Sequence, residues 1–185
     1  MPERYLDNKN YPAAEKYFQI AIKKYPLLAY NYINYSAFLI EIGKPGTALS
    51  YLNKAGSLTM TRDERGQWFN NKGMAFFRLG RMGEAIKNFE KSVLFSPGNT
   101  LFRANFGGIY GELGDYENAV SVLKTGLDFH PDDISLKKNL AITYINMKDY
   151  REAIAVLKKI PRKVWDRQGI SRLLERARRG LNQNR

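Results

Sequence analysis

Apolar positions recur along this chain with the period of a helix, and the helices themselves recur in pairs. Between Asn99 and Pro131, Asn105, Phe106, Gly107 and Tyr110 fall on one helix. Gly114-Asp115-Tyr116 makes a turn, Ala119, Leu123, Gly126 and Leu127 fall on a second helix, and Pro131 closes the unit. The pattern returns 34 residues earlier as Phe69, Asn71, Gly73, Phe76, Gly80, Ala85, Phe89, Ser92 and Pro97. It returns 34 residues later as Asn139, Leu140, Ala141, Tyr144, Asp149, Tyr150, Ala153 and Leu157. Self-similarity at this period predicts a helical repeat array, in which each pair buries its apolar face only by stacking on its neighbours.

Two columns of small residues follow the same steps. Ala14, Ala48, Ala85, Ala119 and Ala153 mark where each second helix must approach a first helix closely. Ser36, Gly73, Gly107 and Ala141 are the matching column on the first helices. Glycine inside a helix costs about 1 kcal/mol against alanine, so Gly73 and Gly107 imply close packing. Phe18, Leu52, Phe89, Leu123 and Leu157 form a large-residue column expected to fill the space between units.

These columns, with the Gly-Asp-Tyr type of turn and the closing prolines, resemble the tetratricopeptide repeat across nearly the whole chain. The resemblance implies an all-α fold: a right-handed α-solenoid of about four and a half helix-turn-helix repeats with a C-terminal capping helix. The units are a partial repeat at 1–28, repeats at 29–65, 66–99, 100–133 and 134–165, and a capping helix at 166–181, all in one domain. The array starts in mid-unit, with Tyr5 in the place later taken by Tyr110 and Tyr144, so a fragment of a longer protein is expected. The step from Ala48 to Ala85 is 37 residues. The surplus sits at 61–65, where Thr61 and Glu64 form a capping-box signature and predict an earlier helix start, about one turn longer. Pro161 should cut the last second helix short. Ile170, Leu173, Leu174, Ala177 and Leu181 then form one stripe on a helix spanning about Asp166 to Leu181.

First helices line the concave face in this family, and a polar column lies on them: Asn34, Asn71, Asn105 and Asn139. An amide side chain offers donors and an acceptor, which suits binding to an extended peptide backbone. A similar asparagine ladder holds substrate peptide in the groove of O-linked N-acetylglucosamine transferase; only the ladder carries over, without a glycosyltransferase domain. Bonding to the neighbouring helix is the other role open to this column. One-turn offsets add Tyr30, Ile33, Ala37 and Ile40, then Gln67, Asn70, Met74 and Phe77. In the later units they add Leu101, Ala104, Gly108 and Gly111, then Ser135, Lys138, Ile142 and Ile145. The peptide-binding expectation rests on the four asparagines with Tyr30, Ile33, Asn70, Met74, Phe77 and Lys138. Such a lining suits a peptide with apolar anchors. The carboxylate clamp of co-chaperone members is missing, since its places hold Ile33 and Ala37, Asn70 and Met74, Ala104 and Gly108, and only Lys138 and Asn70 keep anything of its character. Pentatricopeptide-type nucleic-acid readers also pair helices, but the predicted groove lacks a basic stripe.

Composition narrows the rest. The chain has 185 residues, no cysteine and one histidine, His130, so no disulfide framework and no histidine or thiolate metal cluster is expected. No cofactor is expected either. No apolar run nears the roughly 20 residues a membrane span needs. Met1 to Asn10 is polar and carries no secretory signal. A soluble, cytoplasmic protein is the default expectation, with export left open. Net charge is +12, and Lys148 to Arg185 holds twelve Lys and Arg against four acids. The charge therefore belongs to the C-terminal end and not to the groove. Arg167, Arg172, Arg176 and Arg179 lie on the polar side of the last helix, as a solvated face or a dock for an acidic partner. The leading functional expectation is a non-catalytic scaffold or adaptor holding a peptide or protein. The alternatives are a recruiting or regulatory segment of a larger enzyme or assembly machine, and polyanion binding through the basic helix. Self-association through an open end is also possible on this pattern.

Overall fold

The computed structural model describes residues 10–183. The half-helix expected upstream of Tyr11, with Tyr5, lies outside the described residues. The described residues are helical, and the chain divides into two compact units, one ending at Ser96 and the other starting at Pro97. The first holds α1 (Tyr11–Lys24), α2 (Ala29–Glu41), α3 (Pro45–Gly56), α4 (Arg62–Arg78) and α5 (Met82–Phe95). The second holds α6 (Thr100–Glu112), α7 (Tyr116–Phe129), α8 (Ile134–Asn146) and α9 (Tyr150–Lys158). A 3-10 turn at Arg162–Val164 leads to α10 (Trp165–Gln168) and α11 (Ile170–Gln183). α2–α3, α4–α5, α6–α7 and α8–α9 are the antiparallel pairs of the repeat.

Local chemistry sets the helix ends. Thr61 and Glu64 form the expected capping box: Glu64 N–H donates to Thr61 Oγ1 at 3.2 Å, and Thr61 N–H donates to Glu64 Oε2 at 2.7 Å. This gives α4 its 17 residues against 13 in α2, α6 and α8. Asn99, Asp115, Asp133 and Asp149 cap α6 to α9 through their side chains. α9 has nine residues against 14 in α5 and α7, as Pro161 requires.

Each first helix ends in the same backbone closure. The N–H of the residue two past the helix cap returns to a carbonyl five residues back: Lys44 to Leu39, Arg81 to Phe76, Asp115 to Tyr110, Asp149 to Tyr144. This closure needs a left-handed residue just before it. Gly43, Gly80 and Gly114 supply it at φ 74–77°, but the fourth turn uses Lys148 at φ 63°. A side chain in that conformation costs roughly 1–2 kcal/mol. Lys148→Gly is therefore expected to stabilise the second unit by about 1 kcal/mol, read as a higher urea midpoint at unchanged m.

The small columns pack as their sizes demand. All five column alanines are 0% exposed. The Phe89 ring lies over Gly73, where a β-carbon would meet it at 3.0 Å, and Leu123 lies over Gly107, where the contact would be 2.6 Å. Leu157 and Ala141 share one apolar cluster. The large column thus meets the small column of its own helix pair at Phe89 and Leu123, and also packs toward the next element as expected, Leu123 with Leu136 and Leu140 and Leu157 with Ile170 and Leu174. Phe18 packs on α2, against Tyr35 and Phe38 with ring centroids 5.6 and 5.4 Å away. Burial pushes the Tyr35 phenol up to about 12, with Glu15, which accepts its hydrogen bond at 2.9 Å, acting in the same direction.

The single C-terminal helix expected over 166–181 is broken. Gly169 adopts φ 70° and ends α10, and α11 starts afresh at Ile170. α11 packs on α9 and α8, the last pair. Its stripe of Ile170, Leu174 and Ala177 is buried against them, with Leu157, Ile160 and Ala141 on the other side for the first two.

Candidate functional site

The asparagine column forms bonds within the protein. In the first unit Asn71 is buried, and its Nδ2 donates to the Ile33 carbonyl at 3.0 Å and to Ser36 Oγ at 3.4 Å. In the second unit Asn139 Nδ2 donates to the Ala104 carbonyl at 3.3 Å. Ile33 and Ala104 occupy the same place in their repeats, so one rule serves both units. The amide on each of these first helices holds a carbonyl of the first helix before it. Asn34 Oδ1 accepts from Gln67 Nε2 at 3.3 Å, and Asn105 is half-buried on α6. Within each unit the column stitches neighbouring first helices in register.

The other expected lining residues divide by depth. Ile33 is 0% exposed, because Ala29, Tyr32 and Ala55 enclose it, and Asn70 is buried with its Nδ2 on Asn71 Oδ1 at 3.3 Å. Neither reaches the surface expected of it. Ala104, Ile40 and Ile145 are buried too. What stays accessible in the first unit is Tyr30, 53% exposed, with half-buried Ala37, Gln67, Met74 and Phe77. In the second unit it is Leu101, 61% exposed, exposed Ser135, and half-buried Gly108, Gly111, Lys138 and Ile142. A β-carbon on Gly108 would meet nothing within 4 Å, and one on Gly111 only Thr143 Oγ1 at 3.9 Å. Unlike Gly73 and Gly107, these two glycines have no packing partner that requires them.

A second recurrent device was not read from the sequence. The fourth residue of a first helix reaches back to its own entry loop. Tyr32 Oη donates to the Pro26 carbonyl at 2.9 Å, Arg103 Nε to the Pro97 carbonyl at 2.8 Å, and Lys137 Nζ pairs with Asp132 at 3.2 Å. Arg103 and Lys137 are buried cations on this account. Burial lowers the Arg103 pKa from its ordinary value, and the charge of Asp128 opposes that shift. Their 34-residue spacing was the available signal. His130 sits on the loop after α7 and donates through Nε2 to the Gly98 carbonyl at 2.8 Å, the tautomer a carbonyl acceptor requires. Among the described residues no group of three or more His, Cys, Asp or Glu side chains gathers to hold a metal ion. No helix among them is long and apolar enough to cross a membrane.

The expected four-arginine stripe is also divided. Arg167 lies on α10, ahead of the break at Gly169. Arg172, Arg176 and Arg179 follow on α11 and line a cleft of about 360 Å³ with Ile145, Tyr150 and Glu175.

Comparisons with known proteins agree with the repeat. Two family models, each described as a tetratricopeptide repeat, match residues 69–99 and 111–177, together more than half of the chain. No curated protein matches the sequence. Among solved structures, the thermophilic TPR protein TTC0263 of Thermus thermophilus superposes with a TM-score of 0.75 at 19% identity, covering 94% of this chain and 95% of that one. YrrB, titled a TPR protein with an unusual peptide-binding site, gives 0.63 at 18% identity over 96% of this chain and 88% of its own. The TPR2B domain of yeast Sti1, solved as a pHsp70 complex, gives 0.56 at 16% identity over 65% and 98%. With the stacked helix pairs, the small-residue columns and these matches in hand, the chain belongs to the tetratricopeptide repeat family.

Proposed function

We propose that this protein is a non-catalytic interaction scaffold that holds a peptide, or an exposed segment of a partner protein, against the first-helix face of its repeats. The observation that carries the reading is the glycine pair on α6. Gly108 and Gly111 each forgo about 1 kcal/mol of helix propensity, with nothing packed over Gly108 and only Thr143 Oγ1 within van der Waals range of Gly111. Glycine kept at such a place lets another backbone approach closely. Leu101 beside them is exposed and apolar, as is Tyr30 at the same repeat position in the first unit. A surface of apolar anchors and half-buried amides suits peptide side chains. Within each unit the asparagine ladder serves this reading by fixing the spacing of the first helices, through Asn71 in the first and Asn139 in the second. Yeast Sti1 and YrrB, whose titles name a bound pHsp70 and a peptide-binding site, lend the reading family support.

Gly108 provides the test, because the space above it is open. Gly108→Ala is expected to raise stability by about 1 kcal/mol. Gly108→Trp should fold equally well and obstruct the surface. In affinity capture from native lysate, partners held by wild type should be recovered about tenfold less by the tryptophan variant. Equal recovery, with the circular dichroism spectrum unchanged, would remove the first-helix face of the second unit as the binding surface.

A further inference from the structure

We propose that the arginine cleft on α11 binds the carboxylates of an acidic peptide segment, anchoring the ligand at the C-terminal end of the second unit. The proposal rests on the peptide-scaffold reading and adds the chemistry of the partner. Arg172, Arg176 and Arg179 stand at i, i+4 and i+7, so one helix face carries all three. All are exposed and line the same cleft. One carboxylate, Glu175, faces them and pairs with Arg179. Arg176 Nη2 donates to Asn146 Oδ1 at 3.2 Å, which fixes that guanidinium and leaves its other donors available. Like charges one turn apart repel, and an anion between Arg172 and Arg176 relieves that repulsion. Two planar forks side by side suit a carboxylate, which each can hold through paired N–H donors.

The packing of α11 explains why the arginines are gathered there. A methyl group on Gly180 would overlap the Tyr150 ring. Bare Gly180 therefore lets α11 lie close against α9, with the tyrosine at the wall of the cleft and the arginines along its rim. The same packing argues against a membrane surface. An interfacial helix needs a free apolar face, and that of α11, Ile170, Leu174 and Ala177, is buried in the core. Nucleic acid is disfavoured by the rest of the first-helix face. A phosphodiester strand needs cations repeated along its track, and here Lys138 stands among uncharged Leu101, Gly108, Gly111 and Ile142. A polypeptide with apolar residues and an acidic end fits both parts.

The test uses fluorescence anisotropy at low salt with the full chain. The probe is a fluorescein-labelled peptide of alternating glutamate and leucine, and the control replaces glutamate by glutamine. Wild type should bind the acidic probe at least about tenfold more tightly than the control. Arg172→Glu with Arg176→Glu should abolish that preference, and Arg172→Lys with Arg176→Lys should retain only part of it. Arg167→Glu with Arg178→Glu makes the same change in net charge outside the cleft and should leave most of the affinity. Equal losses in the two charge-reversed proteins would overturn the proposal, as would tighter binding of oligothymidylate or phosphatidylserine vesicles. So would equal affinity for the two peptides. In that last case, binding that is still lost in Gly108→Trp would leave the scaffold reading standing while the anionic anchor falls.

Discussion

Gly107→Ala is expected to destabilise the second unit by about 1–3 kcal/mol, although alanine is the better helix former. The reason is Leu123. Its Cγ would lie 2.6 Å and its Cδ2 2.7 Å from the new β-carbon, and Leu123 is 0% exposed, with no space into which to retreat. Leu123→Ala alone should cost about 2–5 kcal/mol through lost burial and the cavity left behind. Combined, the two changes should behave differently from their sum. Without the leucine branch, the alanine at 107 meets no clash, gains helix propensity and fills part of the cavity, so in that background Gly107→Ala should stabilise. The coupling is expected at about 2–3 kcal/mol, favourable, from urea unfolding of the four proteins. Adjacent Gly108 supplies an internal contrast, since Gly108→Ala should stabilise on its own. A simply additive cycle would mean that Leu123 does not hold position 107 to glycine.

The fold was legible because the constraints on it are periodic. An alanine column repeating in step from Ala14 to Ala153 has one physical reading, close approach of two helices, and all five members are fully buried. The longer α4 was legible from Thr61 and Glu64, whose capping box is a local interaction of neighbouring residues. Gly169 was harder to read. A glycine within an amphipathic stripe is tolerated or breaks the helix depending on tertiary packing, and here it turns left-handed and divides α10 from α11. Lys148 was hidden for a related reason. The turn closure demands a left-handed residue, and nothing about lysine announces that it will comply.

The candidate site was legible only in outline, because depth on a helix face depends on how near the next helix lies. One-turn offsets gave Tyr30 and Ile33 the same status, yet Tyr30 is 53% exposed and Ile33 0%. The asparagine column shows the limit most clearly. Its periodicity pointed equally to a repeated ligand contact and to a repeated bond between helices. The 3.0 Å bond from Asn71 to the Ile33 carbonyl means that Asn71→Ala changes helix spacing as well as any ligand contact. Substitutions at Gly108 or Tyr30 separate binding from packing more cleanly. Arg103 and Lys137 illustrate the converse. Cations are seldom buried unless paired, so a sequence reading leaves them in solvent, whereas their stems pack inward and their heads tie down the entry loops.

Leu174→Asp is expected to release α11 from the second unit. Leu174 is 3% exposed and packs with Ile170, Ile160, Leu157 and Ala141, an apolar cluster with no partner for a carboxylate. Burying an unpaired charge there would cost several kcal/mol, more than one docked helix can offset. Detachment avoids the cost, and a free 14-residue helix is marginal in water, so α11 should also unwind. Amide exchange over Ile170–Gln183 should then lose its protection while the amides of α6 and α7 keep theirs. The sign with pH follows from the aspartate. A carboxyl held in the apolar cluster has its pKa raised, so docking is favoured at low pH and lost as pH rises through that raised value. Some protection should return below the ordinary aspartate pKa of about 4. The exposed faces of Leu157 and Ile160 should make the variant self-associate near neutral pH, as arrays without an end cap do. This variant also bears on the arginine cleft. It keeps Arg172, Arg176 and Arg179 and lowers net charge by a single unit, yet removes the wall formed by Tyr150. If the cleft recognises acidic peptides by its shape, binding should fall as far as in the double charge reversal. Affinity close to wild type would mean that unstructured basic charge suffices and that the geometry of α11 plays no part.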